Sequence, residues 1–190
     1  MQFSKRVSLL SAAVAVAMLS GCGPTWKVVR ASDPTTLATA NNVAVQFDYS
    51  QLQVGKYSLD EWKKSQLEKD AEYEKTWSDL TAKFENFFMQ GLKGQVPGAH
   101  PAAEGAGDIT ITVKPQTMNM GKYIVVARSS SAVKANILAG PDAAAPTDEI
   151  IVVNSYPASV TQPSVFQHIG YIGENLGMQT GRFLQSKKPK

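Results

Sequence analysis

The sequence YEKTWSDLTAKFENF occupies residues 73–87 and carries the clearest helical pattern in the chain. Its large apolar side chains recur at intervals of four, three, four and three residues: Tyr73, Trp77, Leu80, Phe84 and Phe87. Residues three or four apart lie on one face of an α-helix, so the pattern predicts a helix with a single apolar stripe. Such a stripe is typical of core packing rather than of a cofactor site or an aromatic cage. We therefore expect the main buried helix here.

The limits of this helix are also visible in the sequence. Ser58 followed by Glu61 is the pattern of a capping box, which predicts a helix that begins at Leu59. No Gly or Pro interrupts the chain from there until Gly91, and the predicted helix covers residues 59–92. Charged residues dominate the turns before the apolar stripe and interrupt it. The sequence leaves open whether one continuous helix projects past the core or two shorter helices meet at a bend.

Two alternating stretches predict strands that each bury one face. Residues 43–49 alternate large apolar side chains with smaller or polar ones, and residues 109–113 alternate isoleucine or valine with threonine. Pro115 is expected to end the second strand, because proline cannot donate a ladder hydrogen bond. Residues 95–107 are rich in Gly and Pro, and they are expected to form a flexible loop that contains His100.

Three further apolar runs follow at short intervals: residues 122–128, 132–138 and 149–154. Their connections are too short for crossover helices, so they are expected to form an antiparallel meander. The chain then enters a final helix, for which Ser164 is the expected N-cap. This order predicts an α+β fold, with an antiparallel sheet of four to five strands and with the long helix and the C-terminal helix packed on one face.

The final helix combines an apolar face with a stripe of glycines. The apolar face contains Ile169, Ile172, Leu176 and Phe183. The neighbouring stripe contains Gly170, Gly173, Gly177 and Gly181. A glycine inside a helix costs about 1 kcal/mol relative to alanine, so four of them indicate the close approach of another backbone. We expect packing against the sheet or the long helix, and the alternative is a self-association surface at Gly173, Gly177 and Gly181.

The N-terminal residues have the pattern of a bacterial export signal. Lys5 and Arg6 precede an apolar run from Val7 to Met18. This run is too short to cross a bilayer as a helix, since about 20 residues are needed. It is therefore expected to be recognised and removed rather than kept.

The apolar run leads into Leu19-Ser20-Gly21-Cys22, which resembles the lipobox of bacterial lipoproteins. The resemblance implies that residues 1–21 are a signal peptide and that Cys22, the single cysteine of the chain, is acylated with fatty acids such as palmitate. It implies a membrane partner reached through an N-terminal lipid. Gly23, in place of an aspartate, implies the outer membrane, with the domain facing the periplasm. The alternative is an ordinary secretory peptide followed by an accidental cysteine.

The predicted organisation after the signal peptide is a single domain. Residues 22–42 are expected to be a lipidated tether with one short strand at most, residues 43–186 the α+β domain, and residues 187–190 a solvated basic tail. Removal of Lys5 and Arg6 leaves 17 of the 19 basic residues against 16 acidic ones. Such a nearly neutral chain gives no electrostatic basis for binding nucleic acid.

Residues that build catalytic and metal sites are sparse in this sequence. The two histidines, His100 and His168, have no further histidine, cysteine or carboxylate at ligand spacing, so neither a metal site nor a cofactor is expected. The motifs of hydrolase elbows, zinc proteases, phosphate-binding loops and dinucleotide-binding turns are absent from the sequence. Asp148-Glu149 is expected to be a solvated turn, and His168 a helix-surface or satisfied core residue. We therefore expect that the protein is not an enzyme.

The order of elements, the lipobox and the helix end at Gly181-Arg182-Phe183-Leu184 resemble envelope lipoproteins whose domain has the β-α-β module of the curli-secretion lipoprotein and the TolB N-terminal domain. This resemblance implies no functional residue beyond Cys22. We expect a non-catalytic structural or interaction module that binds an envelope protein or another copy of itself. The alternative is a periplasm-facing carrier of small hydrophobic ligands, with an apolar pocket lined by Trp77, Phe84, Phe88 and Ile111.

Overall fold

The computed structural model describes residues 26–31, 35–69, 72–120, 123–124, 127–128, 130–156 and 165–189. Its first elements are β1 (Trp26–Arg30), α1 (Thr35–Thr39), β2 (Val43–Phe47), β3 (Gln53–Val54), β4 (Tyr57–Ser58), α2 (Leu59–Leu67) and α3 (Tyr73–Lys93). They are followed by β5 (Ala99–Pro101), a 3₁₀ turn (Ala102–Glu104), β6 (Ile109–Asn119), β7 (Tyr123–Ile124), β8 (Ala127–Arg128), β9 (Ser131–Gly140), β10 (Asp148–Tyr156) and α4 (Val165–Ser186).

The main sheet has eight strands in the described part of the chain, and their directions are mixed. Its path runs β1-β10-β9-β6-β2-β5, and β3 with β4 extends it beside β6. Strand β6 is antiparallel to β9, whereas β2 is parallel to both β5 and β6. The α+β class is therefore confirmed, but the prediction of an antiparallel sheet of four to five strands is wrong. The parallel pairs arise because α2 and α3 form a crossover between β2 and β6.

The hydrophobic core lies between one face of this sheet and the two long helices. Helix α4 packs against α3, β9 and β10. The predicted apolar face of α4 is fully buried: Ile169, Ile172, Leu176 and Phe183. Alternate residues of β9 and β10 are buried with it, among them Val133, Ala135, Ile150 and Val152. The residues between them are partly or fully exposed, so the opposite face of these two strands is open.

The predicted long helix is divided into two helices. Helix α2 ends at Leu67 and α3 begins at Tyr73, so the alternative with a bend is the correct one. The capping box of α2 is confirmed, because the Glu61 N–H donates to Ser58 Oγ at 3.4 Å and the Ser58 N–H donates to the Glu61 carboxylate at 3.0 Å. No residue of α2 is buried, whereas Trp77 of α3 lies in the core. The charged turns thus separate an exposed helix from a buried one.

Strand β6 continues past Pro115 to Asn119, contrary to the prediction that Pro115 ends it. Pro115 lies opposite Ala135 of β9, and the register shifts between Pro115 and Thr117. On the other side of β6, the pairing with β2 reaches only Val113. Proline is tolerated in a strand at a bulge or where its missing N–H faces no partner, and β6 offers such a place here.

Two other segments differ from their predictions. The predicted strand over residues 122–128 is described at 123–124 and 127–128, where β7 and β8 pair with each other as a separate antiparallel ladder in the connection from β6 to β9. Residues 95–107 contain β5, which places Ala99 and His100 beside β2 at the edge of the sheet. Apolar content does not specify the partner of a strand, and the three residues of β5 are too few to show a period.

The folded domain begins before residue 43. Strand β1 lies at the edge of the sheet and pairs antiparallel with β10. Helix α1 follows it, and Leu37 of α1 is fully buried. Much of the predicted tether of residues 22–42 therefore belongs to the domain. The prediction places the boundary too late because a five-residue strand and a five-residue helix carry little periodic signal. The predicted N-cap Ser164 lies outside the described residues.

Candidate functional site

Helices α3 and α4 approach each other closely where both carry glycine. A Cβ atom on Gly91 of α3 would meet the carbonyl oxygen of Glu174, and one on Gly177 of α4 would meet the carbonyl oxygen of Phe88. Both contacts would be shorter than real Cβ contacts are, so the two backbones would have to move apart. The close approach explains why α4 retains residues that weaken a helix.

The same helix pair accounts for the other two glycines of the predicted packing or self-association stripe. A Cβ on Gly173 would lie 2.6 Å from the carbonyl oxygen of Phe84. A Cβ on Gly181 would overlap the side chain of Gln95, just after α3. All three predicted glycines thus face their own chain. Their places in the fold support the packing interpretation and leave them inaccessible to a second copy.

The four residues of the predicted apolar pocket lie in the hydrophobic core: Trp77, Phe84, Phe88 and Ile111. The rings of Phe84 and Phe88 meet the ring of Phe47 edge to face, with centroids 6.1 Å and 5.4 Å away. Trp77 meets Trp62 in the same manner at 5.5 Å. Aromatic pairs of this geometry stabilise a core beyond the area that they bury. In the structure these side chains therefore pack against other core residues and do not surround a cavity.

A depression of about 290 Å³ lies beside this aromatic cluster, between β2, α3 and the turn after β5. Its polar groups include Gln46, Glu85 and Asn86. Burial raises the pKa of the Glu85 carboxyl. The nearby Tyr49 hydroxyl is buried, and its pKa is raised by burial and then by the charge of Glu85 and a hydrogen bond with it.

The sequence gives no sign of this pair of half-buried acids. Glu85 lies next to the apolar stripe of α3, and the sequence alone does not show whether a glutamate at this position is buried or solvated. Tyr49 is 36 residues away, at the end of an alternating strand pattern. Burial keeps a proton on Glu85 to a higher pH than an exposed glutamate would, whereas the hydrogen bond with Tyr49 acts in the opposite direction. The described residues that line the depression include no nucleophile and no second acid.

His168 is a buried residue in the first turn of α4. Its ring stacks on Tyr156 with centroids 4.7 Å apart, and Nδ1 lies 3.4 Å from Ser131 Oγ. The Ser131 hydroxyl also lies 3.1 Å from the Met120 carbonyl oxygen, to which it donates. Burial lowers the pKa of His168. Because His168 and Ser131 are only 3% and 1% exposed, the pair has the character of a core contact rather than of a serine nucleophile with its base.

Two residues that were predicted to be solvated, Asp148 and Lys187, are buried and half-buried. Asp148 is 1% exposed and accepts a hydrogen bond from Thr147 Oγ1 at 3.0 Å. Lys187 Nζ lies 3.7 Å from Asp148 Oδ1 and above the ring of Phe183. The predictions of a solvated Asp148-Glu149 turn and of a free basic tail at Lys187 are therefore wrong. The cause is a contact between the start of β10 and the residue that follows α4, which local sequence does not reveal.

The remaining histidine lies at the sheet edge, where His100 Nδ1 is 3.0 Å from the Pro101 carbonyl oxygen. Among the described residues, no group of three His, Cys, Asp or Glu side chains is placed to hold a metal ion. No described helix combines the length and the apolar character that crossing a bilayer requires. The predicted acylation site, Cys22, lies outside the described residues.

No family model and no curated protein matches the sequence. Among solved structures, the chain is similar to the PelC dodecamer from Paraburkholderia phytofirmans, with a TM-score of 0.45 and 11% identity over 87% of this chain and 99% of the PelC chain. A dodecamer of a PelC variant from the same organism gives a TM-score of 0.47 and 9% identity over 85% of this chain and 98% of that one. At this level of similarity, no residue role is carried over.

Proposed function

We propose that the protein is a lipid-anchored, non-catalytic module of the bacterial cell envelope. The observation that carries this proposal is the sequence Leu19-Ser20-Gly21-Cys22 after a charged and apolar export signal. In this account residues 1–21 are removed, Cys22 becomes the acylated first residue, and the α+β domain is held at a membrane surface. In enterobacterial-type systems, a lipoprotein with Gly23 rather than aspartate after the acylated cysteine is sorted to the outer membrane, so the domain faces the periplasm.

The energetics of anchoring favour acylation with more than one chain. Each buried methylene contributes about 0.8 kcal/mol, yet a single acyl chain gives only reversible binding. A cysteine with two or three chains provides stable attachment. Cys22 is the single cysteine of the chain, so its modification leaves no thiol for a disulfide. The size of the hydrophobic core, which extends from Leu37 to Leu184, supports a domain that needs no covalent staple.

The described side chains support a binding role over catalysis. The one histidine–serine contact is buried, and Glu85 stands beside a hydroxyl rather than beside a second carboxylate or a nucleophile. The domain is therefore proposed to act by presenting its surface to an envelope protein or to another copy of itself. The carrier alternative receives less support, because Trp77, Phe84 and Phe88 pack in the core.

The anchoring is tested with Cys22→Ser in the native host. The variant is expected to leave the membrane fraction without detergent, whereas Ser20→Ala, which keeps a small residue in the signal, is expected to remain there. Membrane association of Cys22→Ser that resists removal without detergent contradicts the proposal.

The interaction role is tested by crosslinking in intact cells that express the acylated protein at its natural level. The expected result is a stable adduct with an envelope protein or with a second copy. Monomer alone, under conditions that crosslink a known envelope complex, contradicts an interaction module.

A further inference from the structure

The edge of the sheet at β1 exposes apolar side chains between two lysines. Val28 and Val29 of β1 are 47% and 50% exposed, and Val153 of the neighbouring β10 is 51% exposed. Lys27 of β1 and Lys134 of β9 flank them. These five residues are called the β1 surface below. Soluble proteins ordinarily protect such an edge with charges or a covering element, so an exposed apolar edge indicates a binding surface.

The register of the strands places part of this surface on the open face of the sheet. Lys27 lies opposite Ile151, and Val153 lies opposite Lys134. Directly opposed residues project to the same side, and successive residues alternate. Since Val152 faces the core, Lys27, Val153 and Lys134 project away from the helices. Val28 lies opposite the buried Ile150 and projects to the other side, so the edge strand exposes apolar side chains beside both faces of the sheet.

The charge of the β1 surface is positive. It contains two lysines and no carboxylate, and both Lys27 and Lys134 are exposed. The next cation along β1, Arg30, lies opposite Glu149, so that pair is balanced. An apolar patch bordered by lysines suits the interface of a membrane that contains anionic lipid headgroups.

The length of chain between Cys22 and β1 is short. Trp26 is four positions after Cys22 and is already opposite Val152 in the sheet. Four residues span at most about 14 Å when fully extended, so an acylated Cys22 holds the start of β1 within that distance of the lipid. Neighbouring strands lie about 4.8 Å apart, which brings Val153 of β10 near the same surface.

We propose that the β1 surface lies against the headgroups of the leaflet that holds the acyl chains of Cys22. The partner is thus a lipid surface with anionic headgroups, and the domain sits directly on it rather than at the end of a long tether. This inference rests on the proposed acylation of Cys22. It orients the opposite edge of the sheet, at β5, and the turn that follows it away from the bilayer.

The test uses the acylated mature protein on vesicles of phosphatidylethanolamine and phosphatidylglycerol that carry a headgroup nitroxide. Acylation occupies the single native thiol, so an introduced cysteine is the only one free for a fluorescent label. Val153→Cys places the label on the β1 surface. Glu104→Cys is the matched control, because Glu104 is also exposed but lies in the turn after β5. The label at position 153 is expected to be quenched several-fold more strongly than the label at position 104.

A charge-reversal variant distinguishes binding of the β1 surface to the headgroups from mere tethering close to the bilayer. Lys27→Glu combined with Lys134→Glu is expected to reduce quenching at position 153, while the protein still floats with the vesicles through its acyl chains. Both lysines are exposed, so the variant is expected to fold.

Three outcomes overturn the inference. Equal quenching at both positions means that the domain has no fixed orientation. If the label at position 153 is not quenched by the headgroup nitroxide and the labels of two protein copies contact each other, a second copy covers the β1 surface. In both of these cases flotation shows that the anchor itself is intact. A protein that does not float, and whose Cys22 carries no lipid by mass spectrometry, overturns the proposed function and this inference together.

Discussion

Gly177 of α4 lies directly against the carbonyl oxygen of Phe88 in α3, and no side chain fits between the two backbones. The reciprocal contact places Gly91 of α3 against the carbonyl oxygen of Glu174. Glycine at both positions lets the two helices share one layer under the sheet. The glycines of α4 are thereby explained as elements of the domain's own packing.

Gly177→Ala is expected to lower the free energy of unfolding by about 1–3 kcal/mol, because the added methyl group forces the helices apart. Denaturant unfolding followed by circular dichroism measures the change. Stability equal to that of the wild type would contradict the close packing.

Gly170→Ala is the matched control on the same helix. Its Cβ would lie 3.4 Å from Lys83 Cε and 3.5 Å from the ring of Phe87, which are side-chain atoms that can adjust. The gain in helix propensity then leads to unchanged stability or to a gain of up to about 1 kcal/mol. A loss as large as that of Gly177→Ala would show that glycine is required along the whole stripe.

Phe84→Ala is expected to lower the free energy of unfolding by about 3–5 kcal/mol, because Phe84 is fully buried in the core and its removal leaves a cavity. Phe87→Ala, at a half-buried position on the same helix, is expected to cost clearly less. Equal losses, or a loss below about 1 kcal/mol at Phe84, would favour a ligand-accessible pocket over a packed core.

Lys187→Met removes the cation that faces the buried carboxylate of Asp148. The variant is expected to lose about 1–3 kcal/mol of unfolding free energy, since the buried carboxylate keeps its hydrogen bond from Thr147 but loses the ammonium group of Lys187. Thermal or denaturant unfolding measures this loss. Lys188→Met, one position later, is the control and is expected to behave like the wild type. An unchanged Lys187→Met protein would mean that the C-terminal contact is not formed in solution.

His168 makes stability depend on pH near neutrality. Burial lowers its pKa in the folded state below the ordinary value of 6.5, so the unfolded chain takes up the proton first. The contribution to stability is therefore complete above pH 6.5 and is lost as the pH falls below that value. Unfolding free energies near pH 8 and near pH 5 are expected to differ less in His168→Phe than in the wild type.

His100→Asn is the control for this measurement, because it removes the other histidine of the chain and retains His168. The drop in stability toward low pH is expected to persist in this variant. Its disappearance in His100→Asn, and not in His168→Phe, would contradict the assignment.

Asp48 is expected to titrate far below an ordinary aspartate. Hydrogen bonds from the Ser50 hydroxyl and N–H, and then the Lys114 ammonium, lower its pKa from 3.8 to about 2. The associated stability is present above about pH 4 and is lost as the pH falls toward 2. A carboxyl-carbon NMR titration checks the midpoint, and Ser50→Ala is expected to raise it. A midpoint of 3.8 in the wild type would show that these contacts are absent.

Periodicity was sufficient to predict the elements that bury one long face. The predicted stripe of α3 is buried at Trp77, Leu80 and Phe84 and half-buried at Phe87. This stripe, the apolar face of α4 and the alternation in β9 were predictable because many residues repeat one environment. The capping box of Ser58 and Glu61 was equally predictable, since its two contacts are local. Patterns of this kind depend on neighbours in sequence.

The sheet order was not predictable in the same way. The parallel pairing of β2 with β6 joins residues that are 66 positions apart, such as Val43 with Ile109. Nothing in either strand states its partner, and the crossover through α2 and α3 decides the direction. The depression beside Glu85 and the contact between Asp148 and Lys187 were unpredictable for the same reason, because each depends on tertiary contacts.

The central proposal is that acylated Cys22 fixes this domain to a membrane surface, and the mass of the mature N-terminal peptide tests it most directly. We expect a peptide that begins at Cys22 and carries two or three acyl chains. A peptide that begins at Met1, or one in which Cys22 bears no lipid, would contradict it.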